Sequence, residues 1–181
     1  MIKINGESGG GQILRTALGL SALTQKPFTI TNIRASRPQP GLRDQHLQGL
    51  LAIKKLTDAE VDAKIGTTEL TFTPKTIRKG NLKIKLNTAG SLGMILQVLL
   101  IPAIKTKLNI SVKGGSIFSK WAPPVYHFEN ILLPLINYPV KINIKKHGFY
   151  PKGGAELEIF SPEVKLKPIN LEKGEPIGVE G

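Results

Sequence analysis

Residues 4–23, INGESGGGQILRTALGLSAL, and residues 82–104, LKIKLNTAGSLGMILQVLLIPAI, decide how the chain is organised. Each carries a short apolar stretch into a turn of small residues, then into a helical run. In the first, Ile13, Ala17 and Leu20 recur at helical spacing beside Leu14 and Leu18. Working outward, the first stretch is followed by a strand pattern in KPFTITNIRA (26–35), a loop SRPQPGLRD (36–44) and a helix QHLQGLLAIKKL (45–56). Strand patterns near AEVDAKI (59–65) and ELTFTP (69–74) complete that half. The second stretch leads to a strand KLNISVKGG (107–115), a loop SIFSKWAPP (116–124) and a helix VYHFENILLPLI (125–136). The strands VKINIKKHGF (140–149) and GAELEIF (154–160) then close the second half.

The same order thus recurs after about 80 residues, the signature of a chain built from copies of one unit. We expect an α+β fold: tandem β-α-β-α-β-β units over residues 1–78 and 79–161, each a sheet with two helices on one face. Alternation supports the strands, as in FTITNI, where Phe28, Ile30 and Ile33 interleave with Thr and Asn. Phe128, Ile131, Leu132 and Leu135 form one stripe on the last helix, which Pro134 should kink or end early. Residues 162–181 read as the start of a third unit, a strand, a turn and the beginning of another strand. That ending predicts that the chain belongs to a longer architecture or is completed by another chain.

Composition narrows the function classes. The 181 residues contain 25 Lys and Arg against 13 Asp and Glu, a net charge of +12, which favours polyanionic partners such as nucleic acids or nucleotides. With no Cys there is no disulfide, thiolate metal site or Cys nucleophile. No apolar run approaches the roughly 20 residues of a membrane helix and no signal peptide opens the chain, so a soluble cytoplasmic protein is expected. Aromatic residues make up only 6%, so no stacking platform for bases is evident.

Three segments could carry chemistry. Gly9, Gly10 and Gly11 before a helix suit the approach of an anion to backbone N–H groups, and equally suit a tight strand-to-helix corner. The stretch is not a P-loop, for no Gly-Lys-Ser/Thr is present, and Leu14 stands where G-x-G-x-x-G needs its third glycine. The loop before the second helix gathers Arg34, Arg37 and Arg43, stiffened by Pro38 and Pro40, with Gln45 and His46 next. Guanidinium forks suit phosphate; the alternative is a solvated loop before a helix, where three Arg beside the positive end of the helix would be odd. Third, Gln97 is a lone polar residue among Met94, Ile95, Leu96, Val98, Leu99 and Leu100, so it must hydrogen-bond something or face a cleft. KKHGFYPKGGAE (145–156) reads as a plain hairpin. His46, His127 and His147 lack acidic partners at triad spacing and form no metal pair.

Together, GGGQILRTALGLSALTQKPFTITNIRASRPQPGLRDQHL, NTAGSLGMILQ, WAPP and HGFYPKGG strongly resemble the RNA 3'-terminal phosphate cyclase family, over nearly the whole chain. The resemblance implies repeated β-α-β-α-β-β units and an ATP-dependent conversion of an RNA 3'-phosphate to a 2',3'-cyclic phosphate. It also implies a divalent metal, Mg or Mn, and adenylylated enzyme and RNA intermediates. By the same carry-over Gln97, Gly10, Gly11 and Gln12 would bind nucleotide. Arg37, Gln45, Arg34, His46 and Arg43 would bind the phosphate and RNA. The family's nucleophilic His lies in a later region, so none of the three His here is nominated, and these residues alone are expected to be inactive. The family places Glu directly before the glycines; here Ser8 stands there and Glu7 lies one residue earlier, leaving Glu7 as the candidate metal ligand. Acidic residues usual after the second-unit Gly-Gly are missing before Glu129. That departure keeps a second expectation open, a non-catalytic cyclase-like RNA-binding protein of RNA processing or ribosome assembly. A homodimer is also left open.

Overall fold

A computed structural model describes residues 1–120 and 122–169. Two mixed sheets enclose a layer of helices. The first half runs β1 (Ile2–Asn5), α1 (Gly11–Thr24), β2 (Phe28–Thr31), α2 (Asp44–Thr57) and β3 (Leu70–Phe72). Its sheet has the order β1-β2-β3, with β1 parallel to β2 and β3 antiparallel to β2 through Phe28↔Phe72. The second half runs β4 (Gly80–Lys85), α3 (Leu92–Ala103), β5 (Leu108–Lys113), α4 (residues 125–135), β6 (Lys141–Lys146) and β7 (Glu156–Ser161). Its sheet has the order β4-β5-β7-β6, beginning with another parallel pair and ending with antiparallel strands.

Period-two alternation sets which sheet face is covered. Phe28, Ile30, Leu70 and Phe72 are buried in the first sheet, as are Leu82, Ile84, Ile110, Val112, Leu157 and Ile159 in the second. The opposite faces expose Lys3, Thr71, Lys83, Lys85, Lys113 and Glu158. Buried residues from both halves form one continuous core, in which α1 packs on α3. The approach is close because Gly19 of α1 has no side chain: a Cβ there would sit 2.7 Å from Ile101 Cδ1 and 3.3 Å from the Val98 carbonyl oxygen.

Both halves share a parallel β-α-β crossover, then a second helix and an antiparallel strand; they differ in strand number. AEVDAKI forms no strand, only an isolated bridge between Glu60 and Thr73. Its backbone is engaged elsewhere: Lys54 Nζ donates to the Val61 carbonyl, Lys64 N–H to Thr67 Oγ1 and Gly66 N–H to the Leu42 carbonyl. On α1 the buried stripe is Leu14, Leu18 and Ala22, while Leu20 is exposed. On α4 the expected stripe is also displaced. Pro134 has no N–H to donate, and before it the helix widens to π geometry over Phe128–Leu132, with Leu133 N–H donating to the Phe128 carbonyl. The extra residue in that turn buries Val125, Phe128 and Leu133 and leaves Ile131 and Leu135 exposed. Residues 162–169 contain no strand, and Val164 N–H donates to the Ile104 carbonyl; the rest of the expected third unit lies outside the described residues.

Candidate functional site

At one end of the helical layer, a cavity of about 470 Å³ is lined by the first turn of α1, the loop before α2, the first turn of α2, and Met94 of α3. Its polar lining is Gly10, Gly11, Gln12, Arg15, Arg34, Arg37, Gln45 and His46. Three guanidinium groups face it and, among the described residues, no carboxylate does. The start of α1 adds to this polarity, because Gly10 caps the helix without any side-chain hydrogen bond to the opening N–H groups.

The glycine turn earns its composition from the donors that lie over it. A Cβ on Gly10 would meet Arg37 Nη2 at 3.0 Å, and one on Gly11 would meet His46 Nε2 at 2.2 Å and Arg15 Nη1 at 2.8 Å. At this corner, bare backbone lets two Arg and one His close over the helix start.

Arg34 shapes the loop it belongs to. Its backbone is left-handed, φ +56°, and its Nη1 donates to the carbonyls of Gln39 at 2.7 Å and Gly41 at 2.8 Å. Burial, followed by the neighbouring Arg37 and Arg43, lowers its pKa. Arg37 is exposed at the rim, and its N–H donates to the Arg34 carbonyl at 3.0 Å.

His46 is buried in the third residue of α2, and its Nδ1 accepts the Arg43 backbone N–H at 3.1 Å. That bond occupies the free lone pair, so the proton of the neutral ring sits on Nε2, the nitrogen facing Gly11. Burial above all, then Arg34, Arg15 and Arg43, lowers its pKa from 6.5 to about 4. At neutral pH His46 is an uncharged hydrogen-bond donor.

The residue the sequence reading passed over is Arg15. Its Nε donates to Gln97 Oε1 at 3.0 Å and its Nη2 to Gln12 Oε1 at 2.7 Å. Gln12 Nε2 in turn donates to Thr16 Oγ1 at 2.9 Å. Burial lowers the Arg15 pKa, and no carboxylate offsets it. A cation at the fifth residue of a helix, just past its first turn, opposes the dipole, and that was the available signal. Gln97 itself lines a neighbouring apolar groove with Leu96, Leu100, Phe128 and Leu132, and reaches the cationic cavity through Arg15.

A second, larger cleft of about 1130 Å³ shares Gln45 and Met94 with the first, and Arg43 opens onto it. Asp44 borders it, with Oδ2 accepting from Thr88 Oγ1 at 2.7 Å and Oδ1 from Gln48 Nε2 at 3.4 Å. Glu7 lies outside both linings on an exposed turn, where its carboxylate accepts from Asn5 Nδ2 at 3.4 Å. Among the described residues no group of three His, Asp or Glu side chains converges to hold a metal ion. No helix among them is long and apolar enough to cross a membrane.

Against known proteins, residues 6–176 match the family model described as RNA 3'-terminal phosphate cyclase. Curated proteins bearing that name are similar to the chain. The Archaeoglobus fulgidus protein is 40% identical, covering 96% of this chain and 55% of its own. The Sulfurisphaera tokodaii protein is 43% identical over 100% and 56%, and that of Pyrococcus furiosus 42% identical over 98% and 54%. The chain spans about half the length of the curated relatives it matches.

Proposed function

The chain belongs to the RNA 3'-terminal phosphate cyclase family, and from that premise we propose that its cationic cavity holds the terminal phosphate of an RNA beside the phosphates of ATP. The observation that carries this reading is the donor set itself: Arg15, Arg34, Arg37, Gln45 and His46 around one space without a carboxylate. Closure of a 2',3'-cyclic phosphate crowds anionic oxygens together while the 2'-oxygen attacks in line, so charge neutralisation by fixed donors is what the protein must supply. ATP, when bound, would supply an adenylyl group to the enzyme with loss of pyrophosphate and then to the RNA 3'-phosphate, so that attack by the 2'-oxygen would expel AMP, a better leaving group than a phosphate-monoester oxygen.

Each residue has a physical task in this scheme. Arg37, exposed and bidentate-capable, grips the incoming phosphate. Arg34 keeps the loop in shape and adds charge. Neutral His46 donates from Nε2, and its occupied lone pair rules it out as the adenylylated nucleophile. By the family resemblance the nucleophile lies in a later region, and on that reading this chain alone should bind the RNA end without turnover. Gln97 fixes Arg15, and Gly10, Gly11 and Gln12 leave room for phosphate against the start of α1. The described residues do not fit a protein-held divalent ion: Glu7 lies outside the cavity lining and Asp44 is engaged by Thr88 and Gln48, so no step here uses one. We also read the paired parallel crossovers of the two halves as copies of one unit.

The test compares oligoribonucleotides ending in 3'-phosphate and 3'-hydroxyl. The chain should prefer the phosphate end, and Arg37→Ala should remove most of that preference. Equal loss for both ends would mean general backbone binding and overturn the reading. A second reading, RNA binding without catalysis, is favoured by Glu7 standing one residue before Ser8 and the glycines and by the lack of acidic residues between Gly115 and Glu129. Failure of the full-length protein to form a phosphatase-resistant RNA end with ATP would select it.

A further inference from the structure

The larger cleft has a lining unlike the first. Phe118, Phe149 and Tyr150 border it and stay 60%, 55% and 80% exposed, although burying such rings is ordinarily favourable. The fold brings them together from separate segments. A parallel bridge joins Phe118 to Phe149, Ile117 N–H donates to the Gly148 carbonyl at 3.0 Å, and Gly153 N–H closes the loop onto the Phe149 carbonyl at 2.6 Å. Phe149 is also backed by other rings: His147 lies nearly parallel to it, 12° between planes at 6.3 Å, and the Tyr126 hydroxyl meets His147 Nε2 at 2.8 Å. Arg43 and Lys120 place positive charge on the same lining, where the carboxylate of Asp44 is held by Thr88 and Gln48.

We propose that this cleft is a stacking platform for the nucleobases that precede the terminal phosphate in a bound RNA strand. Flat exposed rings flanked by cations are what a single strand requires: π-faces for bases and charge for its backbone. The occupant follows from continuity. Gln45 and Met94 line both spaces, so a strand whose 3' end enters the cationic cavity continues into the aromatic cleft. The placement rests on the terminal-phosphate reading above; the stacking does not.

The experiment measures binding of a five-nucleotide RNA to the full chain and to Tyr150→Ala, Phe149→Leu and Tyr150→Phe. Tyr150→Ala should weaken binding about fivefold or more, by equal factors for 3'-phosphate and 3'-hydroxyl ends, with an unchanged melting temperature. Tyr150→Phe should restore affinity, and the loss should vanish on an RNA abasic at its last three positions. Unchanged affinity in both Tyr150→Ala and Phe149→Leu would overturn the proposal. So would a loss confined to ATP, which would assign the rings to the nucleotide's base. Loss of end preference in Arg37→Ala reads the other cavity, so either proposal can fail while the other stands.

Discussion

Arg15 and Gln97 stand 82 residues apart in the chain and meet at 3.0 Å, Nε to Oε1, where α1 crosses α3. The pair ties a cation of one half, on the lining of the proposed phosphate site, to an amide of the other half behind it.

Gln97→Leu should therefore unsettle more than its own helix. Arg15 would keep its charge and lose the oxygen its Nε donates to, at a cost of about 1–3 kcal/mol of unfolding free energy. Urea unfolding of the single variants and of Gln97→Leu with Arg15→Met should show a coupling of about 1 kcal/mol. Purely additive losses would mean the hydrogen bond contributes nothing.

His46 makes stability depend on pH in a defined window. Its folded pKa, about 4, lies below the ordinary 6.5, so the unfolded chain binds the proton first as pH falls. The contribution is intact above about pH 6.5 and is lost progressively down to about pH 4, reaching about 3 kcal/mol. Unfolding at stepped pH should show this slope, and His46→Gln should flatten it.

Gly11→Ala gives helix α1 a better helix former, worth up to about 1 kcal/mol in isolation. Here the added carbon would stand 2.2 Å from His46 Nε2. We expect a net loss of about 1–3 kcal/mol in thermal unfolding. A displaced ring should also titrate nearer its ordinary value, visible in the His46 NMR signal.

Arg34→Lys preserves charge and removes the fork. One ammonium on a flexible stem holds the Gln39 and Gly41 carbonyls less firmly, so hydrogen exchange across residues 34–43 should quicken. Affinity for a 3'-phosphorylated RNA should fall about tenfold while overall stability changes little.

How much of this was legible in the residues follows from the range of the interaction. Local periodicity sufficed for β2, β5 and β7 and for α1 to α3, because their alternation or helical spacing is unbroken. It failed at Ala59–Ile65, where side chains and loops took the hydrogen bonds a strand would need. It failed again at Ile131 and Leu135, where a proline four to six places from Phe128 and Asn130 changed the helical pitch. For the site, Arg34, Arg37, Gln45 and His46 could be found as one stretch. Arg15 meeting Gln97, and Phe118 meeting Phe149, are encounters across distant parts of the chain that spacing does not encode.

The bare backbone of Gly19 lets α1 and α3 touch almost carbonyl to side chain, and this joint lies on the same two helices that carry Arg15, Gln97 and Met94. So tight a seam disfavours sliding of one helix over the other. If the cavity receives an anion as proposed, its walls would be assembled when the chain folds, and a visiting strand would find its host already in shape.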